Sequence, residues 1–354
     1  MALRDAQRLF DILIRLQIYV ECVKVSQARE FAEVLNAVDT EFRKILLRVK
    51  YPTLDGLTKL ELNKLVVLLR QSQSKVYTLY TKKLIKRLED FTKASLKVNR
   101  IAYAAVFNLD VDDELEVLSD DDADTLIQSA NEESDFIALF GLAAISQGGE
   151  SKMWARIRNE PLPATGSLPL PFITSLTTSA QLGTENLIRK AYSNSWTPNQ
   201  TVVELDSQLA KVVNQSVAVE STLIQHVESV VSAGIASALF GRYRWVSVID
   251  SGTTDICISR NKRTYAYGSG PLRPAHVRCR SIVVPEINGV DDKPDDSFFA
   301  FISRQTQRVQ TLALGSVLAK KLRSGNLKAK DVRLDPEAMT IEGFADSAEE
   351  IITG

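Results

Sequence analysis

The chain has 354 residues, of which 45% are hydrophobic and 25% are charged, a composition ordinary for a folded globular protein. No apolar run reaches the roughly 18 residues that a membrane-spanning helix needs, so the sequence predicts no contact with the membrane interior. Charged residues interrupt the apolar ones throughout residues 1–20, which favours an amphipathic helix over a secretory signal. With three cysteines and no signal, we expect synthesis in a reducing cytoplasm.

Charge is distributed unevenly along the chain, although the formal net charge is only −1. Residues 1–100 contain 20 lysines and arginines against 11 acidic residues. Residues 101–150 contain 13 acidic residues and no lysine or arginine. Blocks of opposite sign say more about possible partners than the total charge does.

The first 107 residues show the spacing of long helices. Apolar residues recur at helical intervals from residue 3 to residue 48, and Tyr51-Pro52 then ends the pattern because proline disfavours helix at the residue before it. Thr58 and Glu61 resemble a capping box at the start of a second long helix, which continues without glycine or proline to about residue 107. We expect a long-helix bundle over residues 1–107 and an acidic connecting segment over residues 108–150.

The region after residue 150 is predicted to be helical on both sides of a small β unit. Prolines and glycines crowd residues 160–171 and indicate a linker or an extended arm. The segment 216–240 is rich in alanine, serine and valine, so we expect it to be buried on more than one face, with His226 as a core or surface histidine and not a ligand. The predicted helices are 178–192, 201–213, 216–240 and 297–323, the last followed by a polar tail.

The stretch from Trp245 to Pro285 concentrates the residue types that carry chemistry. It contains two of the three cysteines and one of the two histidines, between two runs of β-branched residues that predict strands. Cys257, His276 and Cys279 follow the order C-x18-H-x2-C, and Asp250 lies seven residues before the first cysteine.

Three interpretations of this pattern remain open. Two thiolates and an imidazole suit tetrahedral zinc, with Asp250 or water as the fourth ligand, and zinc is the one cofactor that the sequence suggests. Cys257 and Cys279 could instead form a disulfide. In the third interpretation both cysteines are small buried hydrophobes and His276 is a hydrogen-bonded residue near a turn.

No catalytic residue is assigned from the sequence. Catalysis by a cysteine–histidine pair would need an oxyanion hole and a group that orients the histidine, and no recognisable position supplies either. The phosphate-binding loop, the dinucleotide-binding glycine pattern and the H-E-x-x-H zinc motif are also missing from the sequence. We therefore expect a protein that is not an enzyme.

Three segments of the chain resemble a known signature. They are D-S-G-T-T-D-I-C at 250–257, K-R-T-Y at 262–265 and G-P-L-R-P-A-H-V-R-C-R-S at 270–281. Together they are similar to the signature of bacteriophage Mu F-like minor head, or head-morphogenesis, proteins. The segment from Met153 to Arg158 and the segment 314–331 are similar to the regions that flank it, so the resemblance covers roughly residues 150–345. The chain departs from the signature at 261–263, where a Gly-Lys turn is frequent, and at Thr254, where some members have a second cysteine.

Together the patterns and the resemblance predict a predominantly helical α+β fold. An N-terminal long-helix bundle would precede a C-terminal helical domain that contains a small β-hairpin or sheet unit. The predicted domains are the bundle at 1–107, the acidic segment at 108–150, a Mu F-like head-morphogenesis domain at 151–300 with its β unit at 245–285, and a C-terminal helix and tail at 301–354.

The resemblance implies a minor structural protein of a tailed-phage head. Such a protein would bind the portal protein or the major capsid protein inside the head, in multiple copies per virion, and assist head assembly, DNA packaging or DNA delivery. One alternative is an injected transferase or hydrolase that uses Cys257, His276 and Asp250.

A second alternative is a DNA-binding accessory protein. Basic side chains in the second long helix could neutralise phosphates of packaged DNA, or they could form only the solvated face of an amphipathic helix. The candidate DNA-binding residues are Lys82, Lys83, Lys86, Arg87, Lys93, Lys97 and Arg100.

Overall fold

The computed structural model describes residues 3–106, 149–248, 253–286, 297–335 and 338–339. The predicted fold class is confirmed: the described residues form a predominantly helical α+β protein with a small antiparallel sheet. The helices are α1 (Leu3–Leu46), α2 (Lys59–Val106), α3 (Gly149–Asn159), α4 (Pro169–Ser193), α5 (Pro198–Leu239), α6 (Asp255–Arg260), α7 (Phe298–Arg304) and α8 (Gln307–Arg323). The strands are β1 (Arg242–Val246), β2 (Thr264–Ala266) and β3 (Ile282–Pro285).

The chain divides into two compact units, each assembled from separate segments of the sequence. Unit 1 contains Met1–Val25, Glu89–Gly166 and Ser221–Gly354, and unit 2 contains Ser26–Leu88 and Ser167–Glu220. The contiguous domains expected from the sequence stay a prediction. Their acidic segment at 108–150 lies almost entirely outside the described residues.

The start of α2 in unit 2 follows from a capping box, as the sequence predicts. The backbone N–H of Thr58 donates to Glu61 Oε2 at 2.8 Å, and the backbone N–H of Glu61 donates to Thr58 Oγ1 at 3.3 Å. This reciprocal pair satisfies two backbone donors that a helix start would otherwise leave unpaired. Helix α2 accordingly begins at Lys59.

Two long helices of unit 2 meet through their apolar sides. Phe31, Leu35 and Phe42 recur at helical spacing on α1 and are buried. The ring of Phe31 packs against the ring of Tyr80 on α2, with 4.3 Å between their centroids. Unit 2 is therefore stabilised by packing between helices rather than by a sheet.

Helix α5 provides much of the core of unit 1. Every residue from Ser221 to Ser232 is buried, which confirms the expectation that this part of the chain is covered on more than one face. His226 is 1% exposed and lies among these residues, so of the core and surface positions left open by the sequence it occupies a core position. In the part of the chain that the structure describes, no helix combines the length and apolar character required to cross a membrane.

Three helix predictions differ from the structure. The predicted helix 178–192 is α4, which begins earlier, at Pro169, within the residues expected to form a linker or extended arm, because proline is tolerated in the first turn of a helix. The predicted helices 201–213 and 216–240 are one helix, α5, because the polar residues Asn214 and Gln215 occupy exposed positions of a continuous helix. The predicted helix 297–323 is two helices, α7 and α8. Their starts are capped separately, since Ser297 Oγ accepts from the Ala300 N–H and Thr306 Oγ1 accepts from the Val309 N–H.

The β unit of unit 1 is a three-stranded antiparallel sheet in the order β2-β1-β3. In the central strand, Tyr243 is paired with Tyr265 of β2 and with Pro285 of β3. Trp245, on the same strand, is fully buried. The strand-turn-strand arrangement predicted between residues 245 and 285 is therefore present, with β1 beginning slightly earlier than its β-branched residues suggest.

Candidate functional site

The cysteines and the histidine of the C-x18-H-x2-C pattern are positioned by the sheet of unit 1. Cys257 lies on the short helix α6, which connects β1 to β2, whereas His276 and Cys279 lie on the loop between β2 and β3. Both cysteines belong to one buried cluster with Tyr243, Trp245 and Val283. The sheet therefore brings together residues that are far apart in sequence.

A tight turn brings His276 close to Cys279. Arg278, between them, has a φ of 61°, a left-handed conformation that is uncommon for a residue with a side chain. The turn is closed by the Cys279 N–H, which donates to the His276 carbonyl at 3.2 Å. The Arg278 N–H also donates to Thr222 Oγ1 of α5 at 3.3 Å, which fixes the turn on the core helix.

The three side chains converge on one point. Cys257 Sγ lies 3.1 Å from His276 Nε2 and 3.9 Å from Cys279 Sγ. All three candidate ligand atoms lie within 4.8 Å of one another. Among the described residues, this is the group of cysteine, histidine and acidic side chains whose atoms are close enough to hold a metal ion together.

The orientation of the His276 ring is fixed by the backbone. Its Nδ1 lies 2.8 Å from the Val277 carbonyl oxygen, and because a carbonyl only accepts, Nδ1 carries the hydrogen. Its Nε2 therefore faces the sulfur atoms. The pKa of His276 is raised, chiefly by hydrogen bonding to the Cys279 sulfur.

The two sulfur atoms are not equivalent. A hydrogen bond from Cys257 lowers the pKa of Cys279, and the contact with His276 lowers it further. The same hydrogen bond, together with burial, raises the pKa of Cys257. The contacts in this cluster therefore favour the thiolate form of Cys279 over that of Cys257.

Hydroxyl groups that the sequence analysis missed surround Cys257. Ser281 Oγ donates to Cys257 Sγ at 3.2 Å, and Ser247 Oγ donates to the Cys257 carbonyl at 3.0 Å. Trp245 Nε1 in turn donates to Ser247 Oγ at 3.0 Å. The position of Ser281, two residues after Cys279, was the signal in the sequence that could have indicated its contact with the cluster.

A buried ion pair supports the loop that carries His276 and Cys279. Arg273 Nη1 lies 2.9 Å from Glu228 Oε2 on α5, and the two side chains are 2% and 5% exposed. The same Nη1 donates to the Ser281 carbonyl at 3.1 Å. Arg273 therefore connects the core helix to the backbone on the far side of Cys279.

A second buried cation reaches the loop from α1. Lys24 Nζ pairs with Glu21 Oε1 at 2.6 Å and donates to Gln225 Oε1 at 2.8 Å. It also donates to the Cys279 carbonyl at 3.3 Å. Neither Lys24 nor Arg273 was identified from the sequence, because most of their partners are distant in sequence and no local pattern indicates them.

Of the four residues predicted as zinc ligands, Cys257, His276 and Cys279 are brought together in the structure. The fourth, Asp250, lies outside the described residues. Cys257 and Cys279 are free in the structure, and the 3.9 Å between their sulfur atoms is much longer than the roughly 2.05 Å of a disulfide bond.

The other histidine of the chain, His226, contacts a backbone group instead. Its Nε2 lies 3.4 Å from the Ile157 carbonyl oxygen.

The seven basic residues predicted to contact DNA all lie on α2. The five lysines are exposed, whereas Arg87 and Arg100 are half-buried. Arg87 forms an ion pair with Glu30, and Lys93 lies 3.6 Å from Glu150. Burial lowers the pKa of Arg100. Part of this basic set therefore has partners within the protein, and Lys82 and Lys83 are the most direct candidates for an external phosphate.

Comparison of the chain with protein-family models, with curated proteins and with solved structures finds no match. The resemblance of residues 250–281 to the Mu F-like signature therefore stays an expectation from the sequence. What supports a function is the geometry around Cys257, His276 and Cys279.

Proposed function

We propose that this chain is a minor structural protein of a tailed-phage head. It binds the portal protein or the inner face of the capsid in multiple copies and assists head assembly, DNA packaging or DNA delivery. The observation that carries the proposal is the convergence of segments 253–257, 262–265 and 270–281 in one sheet-based unit. These are the described parts of the signature that resembles Mu F-like proteins.

The arrangement of the unit favours a structural role for its cysteines. Cys257 and Cys279 are 2% and 0% exposed, so neither is available to a large substrate from the surface. The backbone of Cys279 is held by Lys24, and that of the neighbouring Ser281 by Arg273. These contacts hold the loop backbone in one conformation, which suits a structural role in assembly.

The proposal is tested on particles of the phage that encodes the chain. Proheads without DNA and mature virions are purified and analysed by quantitative mass spectrometry. We expect the chain in both, at low copy number relative to the major capsid protein. Absence from both kinds of particle would overturn the proposal.

A second candidate function, an injected enzyme, is favoured by the 3.1 Å contact between Cys257 Sγ and His276 Nε2. This distance is within the range of a nucleophile and its general base. The burial and raised pKa of Cys257 oppose this function. Substitution Cys257→Ser distinguishes the two: particles that incorporate the folded variant but fail at a chemical step of infection favour the enzyme, whereas normal infection favours the structural protein.

A third candidate, an accessory DNA-binding protein, is favoured by the exposed lysines of α2. Binding through phosphates weakens steeply as salt increases. The double substitution K82A/K83A should therefore reduce both the affinity for duplex DNA and the steepness of its salt dependence. Affinity that is absent, or insensitive to salt, would eliminate this function.

A further inference from the structure

We propose that Cys257, His276 and Cys279 bind one Zn²⁺ ion, with the two sulfur atoms and His276 Nε2 as ligands and a water molecule in the fourth position. The inference goes beyond a role in the phage head and does not depend on it. It rests on the distances between the three ligand atoms and on the groups that orient them.

The separation of the sulfur atoms fits tetrahedral zinc. Two sulfur ligands at about 2.3 Å from the metal, at a tetrahedral angle, lie about 3.8 Å apart. The sulfur atoms of Cys257 and Cys279 lie 3.9 Å apart. The two cysteines therefore need almost no movement to bind the same ion.

The histidine needs a small adjustment. A zinc-bound nitrogen and sulfur lie about 3.6 Å apart at the tetrahedral angle. His276 Nε2 lies 3.1 Å from Cys257 Sγ and within 4.8 Å of Cys279 Sγ, so its ring must withdraw from the first sulfur by about half an ångström and approach the second by at most about 1.2 Å. The His276 side chain is only half-buried, which leaves room for that movement.

The surrounding groups orient the ligands as they do around zinc in general. A zinc-binding histidine usually donates its other ring N–H to a carbonyl or carboxylate, and His276 Nδ1 faces the Val277 carbonyl oxygen at 2.8 Å. The Ser281 hydroxyl donates to Cys257 Sγ at 3.2 Å and can stabilise a thiolate there. These contacts are present without a metal ion, so His276 and Cys257 are already oriented as ligands.

The charge and chemistry of the ligands select the ion. Two thiolates and a neutral imidazole balance the charge of a divalent cation, so the loaded site buries no net charge. On binding, the cluster releases whatever protons its two sulfur atoms and His276 Nε2 still carry, while His276 Nδ1 keeps its hydrogen. Sulfur and imidazole ligands favour zinc over magnesium or calcium, which prefer oxygen.

The first experiment titrates the full-length, reduced and metal-free chain with ZnCl₂ alone and follows binding by calorimetry. We expect one equivalent of Zn²⁺ per chain. Replacing Zn²⁺ by Co²⁺ should give the absorption of a tetrahedral ion with thiolate ligands. Wild-type protein that is folded and reduced but binds no stoichiometric metal would overturn the proposal.

Substitutions then assign the ligands. His276→Gln is the decisive variant because this side chain is half-buried and its replacement leaves the core intact, whereas Cys257→Ser and Cys279→Ser alter buried positions. We expect each to weaken Zn²⁺ binding by about 100-fold or more, as the loss of a ligand should exceed the 10- to 100-fold effect of an outer partner. Cys22→Ser is the matched control, because Cys22 is buried on α1 outside the cluster.

A graded variant separates metal binding from unfolding. Ser281→Ala removes the hydroxyl next to Cys257 but leaves all three ligands in place, and it should weaken Zn²⁺ binding by about 10-fold. Circular dichroism checks that each variant is folded. Full affinity in folded His276→Gln, or equal loss in Cys22→Ser and Cys257→Ser, would contradict the assignment. A chain that binds Zn²⁺ but is missing from virions would leave this inference intact and overturn only the phage-head function.

Discussion

Two buried glutamates on α5 show how differently the same side chain is accommodated in the two units. Glu228, in unit 1, forms an ion pair with Arg273 at 2.9 Å. Glu220, in unit 2, instead forms a hydrogen bond with the Tyr80 hydroxyl, and its Oε2 has no hydrogen-bond partner among the described residues. Burial raises the pKa of Glu220 to about 8, although Tyr80 and Arg87 act in the opposite direction.

The two glutamates differ in whether a cation contacts the carboxylate, and not in how deeply the side chain is buried. Glu220 and Glu228 are 1% and 4% exposed, yet only Glu228 has an arginine in direct contact. That arginine is on the loop of His276 and Cys279, so the ion pair of unit 1 also positions the candidate metal site. The buried carboxyl of unit 2 instead contacts the Tyr80 hydroxyl of α2.

The largest expected effect comes from breaking the ion pair of unit 1. Arg273→Met should reduce the free energy of unfolding by about 3–5 kcal/mol, because it leaves the Glu228 carboxylate buried without its cation. Urea denaturation measures the change. The double variant R273M/E228M should recover much of the loss, and a single variant as stable as the wild type would show that the pair is not a structural requirement.

The second effect depends on pH and concerns Glu220. Its pKa is raised in the folded state, so the folded chain binds more protons than the unfolded chain between the ordinary glutamate pKa and about 8. The contribution of this group to stability is therefore complete below the ordinary value and is lost as pH rises towards 8. Glu220→Gln should match the wild type near pH 4 and be more stable by a few kcal/mol, as an order of magnitude, above pH 8. Denaturation curves measured at several pH values check this. A difference in stability between Glu220→Gln and the wild type that is the same at every pH would contradict it.

A smaller effect is expected for the partner of Glu220. Tyr80→Phe keeps the aromatic packing against Phe31 but removes the hydroxyl that Glu220 contacts. It should cost about 1–3 kcal/mol, the usual cost of leaving a buried polar group without its hydrogen bond. Urea denaturation at pH 6 measures it. The same substitution made in Glu220→Gln gives the coupling between the two side chains, and a coupling of zero would mean that they do not interact.

The smallest effect is expected for an exposed pair in unit 1. Arg242 Nε lies 3.6 Å from Glu286 Oε2, but the arginine side chain is 61% exposed. Arg242→Met should change stability by about 0–1 kcal/mol, because surface ion pairs contribute little. This variant is the matched control for Arg273→Met. A comparable loss for both arginines would remove the distinction between the buried and the exposed pair.

The sequence predicted the elements whose signals are local. The start of α2 follows from Thr58 and Glu61, and the buried stretch of α5 follows from its alanine, serine and valine content. The C-x18-H-x2-C spacing between two β-branched runs identified Cys257, His276 and Cys279 as candidates for one site, but it left open whether they bind a metal, form a disulfide or are only buried. Local chemistry is sufficient for the two helices because their signals lie within a few residues of each other in sequence.

The remaining features either have weak local signals or depend on contacts that are distant in sequence. Helix α5 runs through Asn214 because nothing at that position opposes a helix that its neighbours already favour. The start of α8 depends on the cap at Thr306, which the periodicity of apolar residues does not reveal. Lys24 and Arg273 resemble ordinary solvated cations in the sequence, and only the folded chain shows that they support the candidate site.

The bond between Lys24 and the Cys279 carbonyl joins residues 255 positions apart, which has a consequence for the order of folding during synthesis. The ribosome delivers α1 long before it delivers the loop of His276 and Cys279. Until α5 is made, the Lys24 ammonium has only Glu21 of these partners, four-fifths of a turn away on the same helix. Its hydrogen bonds to Gln225 and to the Cys279 carbonyl can form only after α5 and then the loop have been synthesised, so the burial of this cation depends on segments made much later than its own helix.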